Sequence, residues 1–162
     1  MLQRYWALCA SLFVVSLVGC QLETGGEGAV EAEEGVEVAY LMANPESGMP
    51  FSDAVRVDDF LFLSGQVGTD STGTLVEGGI SAETRQTLDN IRDVLEANGS
   101  SLDRVVKCTA MLADISEWQA MNEVYVTYFT SHRPARSAFG ASGLALGARI
   151  ELECWATMPQ AD

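Results

Sequence analysis

Residues 81–129 read SAETRQTLDNIRDVLEANGSSLDRVVKCTAMLADISEWQAMNEVYVTYF, and the succession of patterns in this stretch decides the fold. Thr84, Leu88, Ile91 and Leu95 recur at 4-3-4 spacing, which is one face of a helix, with Ser81 placed to cap it and Gly99 to stop it. Asp103–Asp114 ("DRVVKCTAMLAD") is too short and too evenly apolar for a surface helix and reads as a strand with apolar residues on both faces. A second helix follows, opening on Asp114 and Glu117 in the spacing of a capping box. Its stripe of Trp118, Met121, Tyr125 and Tyr128, backed by Val124 and Phe129, reads as core.

On the N-terminal side, "AVRVDDFLFLSGQVG" is a hairpin that turns at Asp58-Asp59 and continues as a strand over Phe60–Gln66. On the C-terminal side, Pro134 ends the second helix region, and a short strand over about Ser137–Gly140 precedes a Gly-rich turn. The last strand runs from about Arg149 to Thr157. There Ile150, Leu152, Cys154 and Ala156 alternate with Arg149, Glu151, Glu153 and Trp155, one dry face against one mostly polar face. The order ββ-α-β-α-ββ gives an α+β domain, a mixed sheet with two helices on one face. Two helices cover only one side, while the earlier strands are apolar on both. The second face is therefore expected to be buried against other copies of the chain.

The 162 residues divide unevenly around this domain, which we place at 41–162. Residues 1–20, MLQRYWALCASLFVVSLVGC, carry Arg4 and an apolar run too short to span a bilayer, and read as an export signal. Its end, Leu17-Val18-Gly19-Cys20, resembles a bacterial lipobox, which makes Cys20 the expected lipidation site and mature N-terminus. Gln21 after it favours the outer membrane in a Gram-negative cell. The expected location is thus the bacterial cell envelope, on a lipid anchor. Residues 21–40 hold Glu23, Glu27, Glu31, Glu33, Glu34 and Glu37 and no basic residue, as an extended acidic tether would.

Setting aside Arg4 and those six glutamates, the net charge of −14 becomes −9 for residues 41–162. Such a domain is a poor partner for nucleic acid, which needs clustered Lys and Arg. Cys108 and Cys154 show no metal-ligand spacing; they read as two small buried apolar residues, able to pair only if their strands are neighbours. No Gly-Lys-Ser/Thr accompanies Gly140, Gly143 and Gly147, so that run is loop chemistry and not a phosphate cradle.

Three segments, "PFSDAVRVDDFLFLSGQVG", "TRQTLDNIRDVLEANG" and "RPARSAFGASGLALGARIELECWA", together resemble the Rid family of reactive intermediate deaminases (YjgF-type) over almost all of residues 49–157. The most specific element is Pro134-Ala135-Arg136-Ser137, then Phe139, Leu144 and Ile150-Glu151. The resemblance implies a chorismate-mutase-like fold assembled as a homotrimer, with three clefts between subunits. It implies hydrolysis of 2-imino or enamine acids, such as 2-aminoacrylate, to 2-keto acids and ammonia, without metal or organic cofactor. By the same resemblance Arg136 binds the substrate carboxylate and Glu151 positions or activates water. Ser64-Gly65-Gln66 lines the cleft, and Asn122 matches a recurrent position. Two residues depart from the family pattern: Ala138 stands where many members have cysteine, and Phe51 where a cleft tyrosine is common. Ala138 keeps its backbone N–H for the carboxylate, whereas Phe51 lacks the phenolic hydroxyl. A non-catalytic trimer that binds small carboxylates, or serves an envelope complex, is the competing expectation; it needs Arg136 but not Glu151.

Overall fold

The helix–strand–helix centre forms as its spacing predicts. In the computed structural model, which describes residues 35–160, α1 spans Gly79–Ala97, β5 spans Val105–Leu112 and α2 spans Trp118–Tyr128. The preceding strands are β1 (Val38–Leu41), β2 (Ala54–Val57), β3 (Phe60–Leu63) and β4 (Gln66–Val67), and β6 (Ala135–Gly140) and β7 (Ile150–Thr157) close the chain. The signal segment, Cys20 and the tether up to residue 34 lie outside the described residues. Among the described residues no helix is long and apolar enough to cross a membrane.

Thr84, Leu88, Ile91 and Leu95 of α1 are fully buried against the sheet. Each of the three aliphatic chains contributes about 1.5–3 kcal/mol by leaving water. The helix begins two residues before Ser81, with Gly78 at its N-cap and no side-chain cap, so Ser81 lies inside the first turn. Before α2, Asp114 accepts a hydrogen bond from the Ser116 N–H (2.9 Å), but Glu117 does not close the capping box. Its carboxylate turns to Arg149 instead.

The strands order as β1-β2-β3-β7-β5-β6, with β4 pairing β7 beyond the end of β3. All neighbours are antiparallel except β5 and β6, the pair that α2 connects. Val38, Ala39 and Tyr40, expected at the end of the tether, instead pair with Val57, Arg56 and Val55 as β1. The acidic composition of the preceding segment hides this short strand, which is completed by its pairing with β2.

One face of the sheet is sealed by the helices: Leu61, Leu63, Cys108, Ala110, Leu112, Ile150, Leu152, Cys154 and Ala156 are buried there with α1 and α2. The opposite face carries Phe60, Phe62, Trp155 and Phe139, and Phe60, Trp155 and Phe139 are all exposed. Phe62 and Trp155 meet edge to face, their centroids 5.1 Å apart. An uncovered aromatic patch on a sheet is the physical signature of an interface.

The two domain cysteines correct the expectation of free, inert side chains. Cys108 and Cys154 lie directly opposite each other on β5 and β7, with Cα atoms 4.1 Å apart, and form a disulfide. Both are on the buried face and fully excluded from solvent. Register brought them together, and neither sequence position alone shows it.

Candidate active site

The residues singled out by sequence fall into two groups on opposite faces of the sheet. Arg136 on β6 is the register partner of Cys108, and Cys108 of Cys154, so Arg136 shares the helix face. Glu151 on β7 alternates with the buried Ile150 and Leu152 and projects from the other face. A single chain therefore does not bring the two together.

The Glu151 group is built on the bulge between β3 and β4. β3 pairs Phe62 with Trp155, while β4 pairs Gln66 with Leu152, so one extra residue is accommodated at Ser64-Gly65. The Glu151 side chain lies over Gly65: a methyl group there would sit 2.0 Å from Oε1. Glycine is required at this point for the carboxylate to occupy its place. The Ser64 hydroxyl donates to the Ser52 carbonyl (2.7 Å), and the Ser64 N–H donates to the Asp53 carbonyl (3.0 Å). These bonds strap the loop carrying the exposed Phe51 beside the same bulge. The Gln66 amide is spent on the Ser64 carbonyl at 3.3 Å.

The start of β7 is pinned independently. Glu83 of α1, only 6% exposed, accepts from the Arg149 N–H at 2.7 Å, and the Arg149 guanidinium pairs with Glu117. Glu83 thus ties α1 to the start of β7, and Glu117, at the N-cap of α2, holds the same arginine two residues before Glu151. Charged groups at such a place are kept by their hydrogen bonds.

The Arg136 group is built on α2. Residues 118, 121, 122 and 125 face β6 at helical spacing. The Asn122 side-chain oxygen accepts from the Arg136 guanidinium (2.6 Å), and the Met121 sulfur lies 3.7 Å from its other terminal nitrogen. The guanidinium carbon sits 4.5 Å from the Tyr125 ring centroid and 6.0 Å from that of Trp118. Ala138, two residues along β6, packs partly buried against the core. No ion pair among the described residues involves Arg136. It is a cation held by amide, sulfur and aromatic faces, with its charge left uncompensated by any carboxylate of the described chain.

Trp118 and Tyr125 were expected only as core. Tyr125 is buried, but Trp118 is 42% exposed and both rings serve Arg136. Their spacing around Asn122 was visible in the sequence, though not that β6 would lie against this face. Burial pushes the Tyr125 phenol up to about 12, so the ring stays neutral beside the cation.

Chemically, one face offers a bidentate anion donor and the other a carboxylate that meets no hydrogen-bond partner among the described residues. Those residues include no cluster of three or more His, Cys, Asp or Glu that could hold a metal ion. A cavity of about 670 Å³ at Arg104, His132, Arg133 and Pro134 contains neither group.

The model of the family described as Endoribonuclease L-PSP matches residues 42–158. The chain is 46% identical to the human 2-iminobutanoate/2-iminopropanoate deaminase over 105 residues, 64% of this chain and 77% of that protein. It is 38% identical to the chloroplastic Reactive Intermediate Deaminase A of Arabidopsis thaliana over 123 residues, 75% of this chain and 66% of that protein. Among solved structures, a Rid-family protein of unknown function, YyfA from Yersinia pestis, superposes with a TM-score of 0.71 at 34% identity, covering 75% of this chain and all of that one.

Proposed function

Because the chain belongs to the endoribonuclease L-PSP (YjgF/Rid) family, we propose that it is a deaminase that hydrolyses 2-imino acids to 2-keto acids and ammonia. The observation that carries this reading is Arg136, a guanidinium fixed by α2 without a carboxylate partner among the described residues, in a domain otherwise rich in acid. A planar guanidinium presents parallel donors to a carboxylate and stays charged when partly buried. The ribonuclease label in the family's description is not carried over to this chain, because a domain of net −9 lacks the clustered Lys and Arg that phosphate neutralisation needs.

Since Arg136 and Glu151 lie on opposite faces, the working site is composite. One subunit contributes Glu151, Gly65, Ser64 and Phe51, and its neighbour contributes Arg136, Asn122 and the Ala138 backbone N–H. A homotrimer supplies three such sites and covers the aromatic patch of Phe60, Phe62 and Trp155. The substrate carboxylate binds Arg136, which leaves the C=N carbon exposed to water held by Glu151. The imine enters protonated (C=NH2+), and water adds to its carbon as the water's proton passes to Glu151, giving a neutral tetrahedral carbinolamine. Glu151 returns the proton to nitrogen; the C–N bond then breaks, ammonia leaves, and loss of the hydroxyl proton completes the keto group. An enamine such as 2-aminoacrylate enters the same route after tautomerising to its imine.

We place the protein in the bacterial envelope, on a lipid at Cys20. The disulfide between Cys108 and Cys154 supports an oxidising compartment, since such bonds are rare in the cytosol. An amino-acid oxidising reaction on the same side of the membrane is the class of source such a substrate requires.

The test generates imino acids in situ with an amino-acid oxidase and follows their loss. Wild type is expected to accelerate the loss over buffer, and Arg136→Ala to raise KM by about 10- to 100-fold, the cost of a lost charge-assisted carboxylate contact. No acceleration by wild type across several side chains would leave the binding-only trimer standing and end the deaminase reading.

A further inference from the structure

We infer that Tyr125 is a positioning residue for Arg136, its ring face fixing the guanidinium so that the donors not engaged by Asn122 and Met121 remain ready for a carboxylate. The inference rests on the reading of Arg136 as the carboxylate anchor.

Three observations carry it. The guanidinium carbon lies 4.5 Å from the Tyr125 centroid, inside the range where a cation is attracted to the face of an aromatic ring. Tyr125 is 4% exposed, its hydroxyl is buried, and that hydroxyl has no hydrogen-bond partner. What Tyr125 offers Arg136 is therefore the ring and not the phenol oxygen. Finally, the buried Phe129 packs against the Tyr125 ring, their centroids 4.7 Å apart and their planes tilted by 38°, and so restricts that ring. Trp118 contributes more weakly at 6.0 Å. Arginine has many rotamers, and fixing them before the ligand arrives removes an ordering cost from binding.

The contact acts on binding and not on the chemical step, which separates it from a merely structural role. Tyr125→Phe keeps the face and is expected to leave KM within about twofold, whereas Tyr125→Leu raises KM about 10-fold with kcat little changed. Trp118→Leu, at a half-exposed position that does not endanger folding, raises KM a fewfold. A second readout needs no turnover: the ring current shifts the Arg136 Nε–H proton resonance in wild type and Tyr125→Phe, and the shift is lost in Tyr125→Leu. Equal KM in wild type, Tyr125→Leu and Trp118→Leu overturns the inference. So does a Tyr125→Phe defect as large as that of Tyr125→Leu, which would assign the effect to the hydroxyl. If Tyr125→Leu fails to fold, the Tyr125→Phe and Trp118→Leu results decide. If wild type hydrolyses no imine, the deaminase reading fails separately, and calorimetric affinities for 2-oxobutanoate decide this one: loss in Tyr125→Leu with retention in Tyr125→Phe supports it, and an affinity unchanged in Tyr125→Leu overturns it.

Discussion

Glu151→Gln is expected to lower kcat by about 10²- to 10⁴-fold, the usual contribution of a positioned general acid–base group, while affinity for 2-oxobutanoate stays within a fewfold of wild type. The amide keeps the shape of the side chain over Gly65 but cannot accept the proton of the attacking water. Gly65→Ala probes the same carboxylate without touching it. Gly65 is not among the residues in the left-handed region, so alanine strains no backbone there. Its methyl group, however, would stand 2.0 Å from Oε1, and the mobile carboxylate must move aside. Displacement of a catalytic group by about 1 Å costs on the order of 100-fold. Stopped-flow or coupled assays on both variants check this, alongside thermal melts to show that they fold. Wild-type turnover by Glu151→Gln would remove Glu151 from the mechanism. Wild-type turnover by Gly65→Ala alone would mean that the carboxylate works from another position.

Removing the disulfide is the change expected to affect stability most. The bond closes a segment with a sequence separation of 46 residues, which in the chain-entropy view restricts the unfolded state by about 4 kcal/mol. Replacing both cysteines with alanine also leaves small cavities in the dry layer between sheet and helices. A loss of about 2–4 kcal/mol is expected, and with it a fall in Tm of roughly 10 °C. Calorimetric melts of wild type, of wild type unfolded and refolded with reductant, and of the double alanine variant measure it. Because both sulfurs are fully buried, reductant added to the native protein should act only at the rate of opening. Equal Tm values, or two free thiols titrated in the native protein, would contradict the expectation.

Periodicity made the scaffold legible. Thr84, Leu88, Ile91 and Leu95 point one way because burial selects one face, and Ile150 through Ala156 alternate because a strand has two sides. β1 was not legible, since Val38–Leu41 follows a run of glutamates and gains its strand state from β2. Pairing of Cys108 with Cys154 depends on the register of β5 against β7, a property of the assembled sheet and not of either segment. For the same reason the motif joining Arg136 to Glu151 pointed to a chemistry but not to a geometry. The Gly-rich turn between them resets the direction of the chain, so their spacing along the sequence does not say which face each one takes. Trp118 and Tyr125 looked like core because aromatic residues at helical spacing usually are. What they cover became visible only once β6 lay beside α2.

With Arg136 and Glu151 on opposite faces, the proposed composite site makes activity a property shared between chains. Arg136→Ala spoils only the half-site on one side of a subunit, and Glu151→Gln spoils only the half-site on the other. Two preparations that are each nearly inactive at a substrate concentration well below the KM of Arg136→Ala should therefore revive one another when unfolded, mixed in equal amounts and renatured. In a ring of randomly drawn subunits, about one junction in four would receive an intact half from each neighbour. Recovery of about a quarter of wild-type turnover would be the mark of complementation, and two halves residing in one chain would yield none.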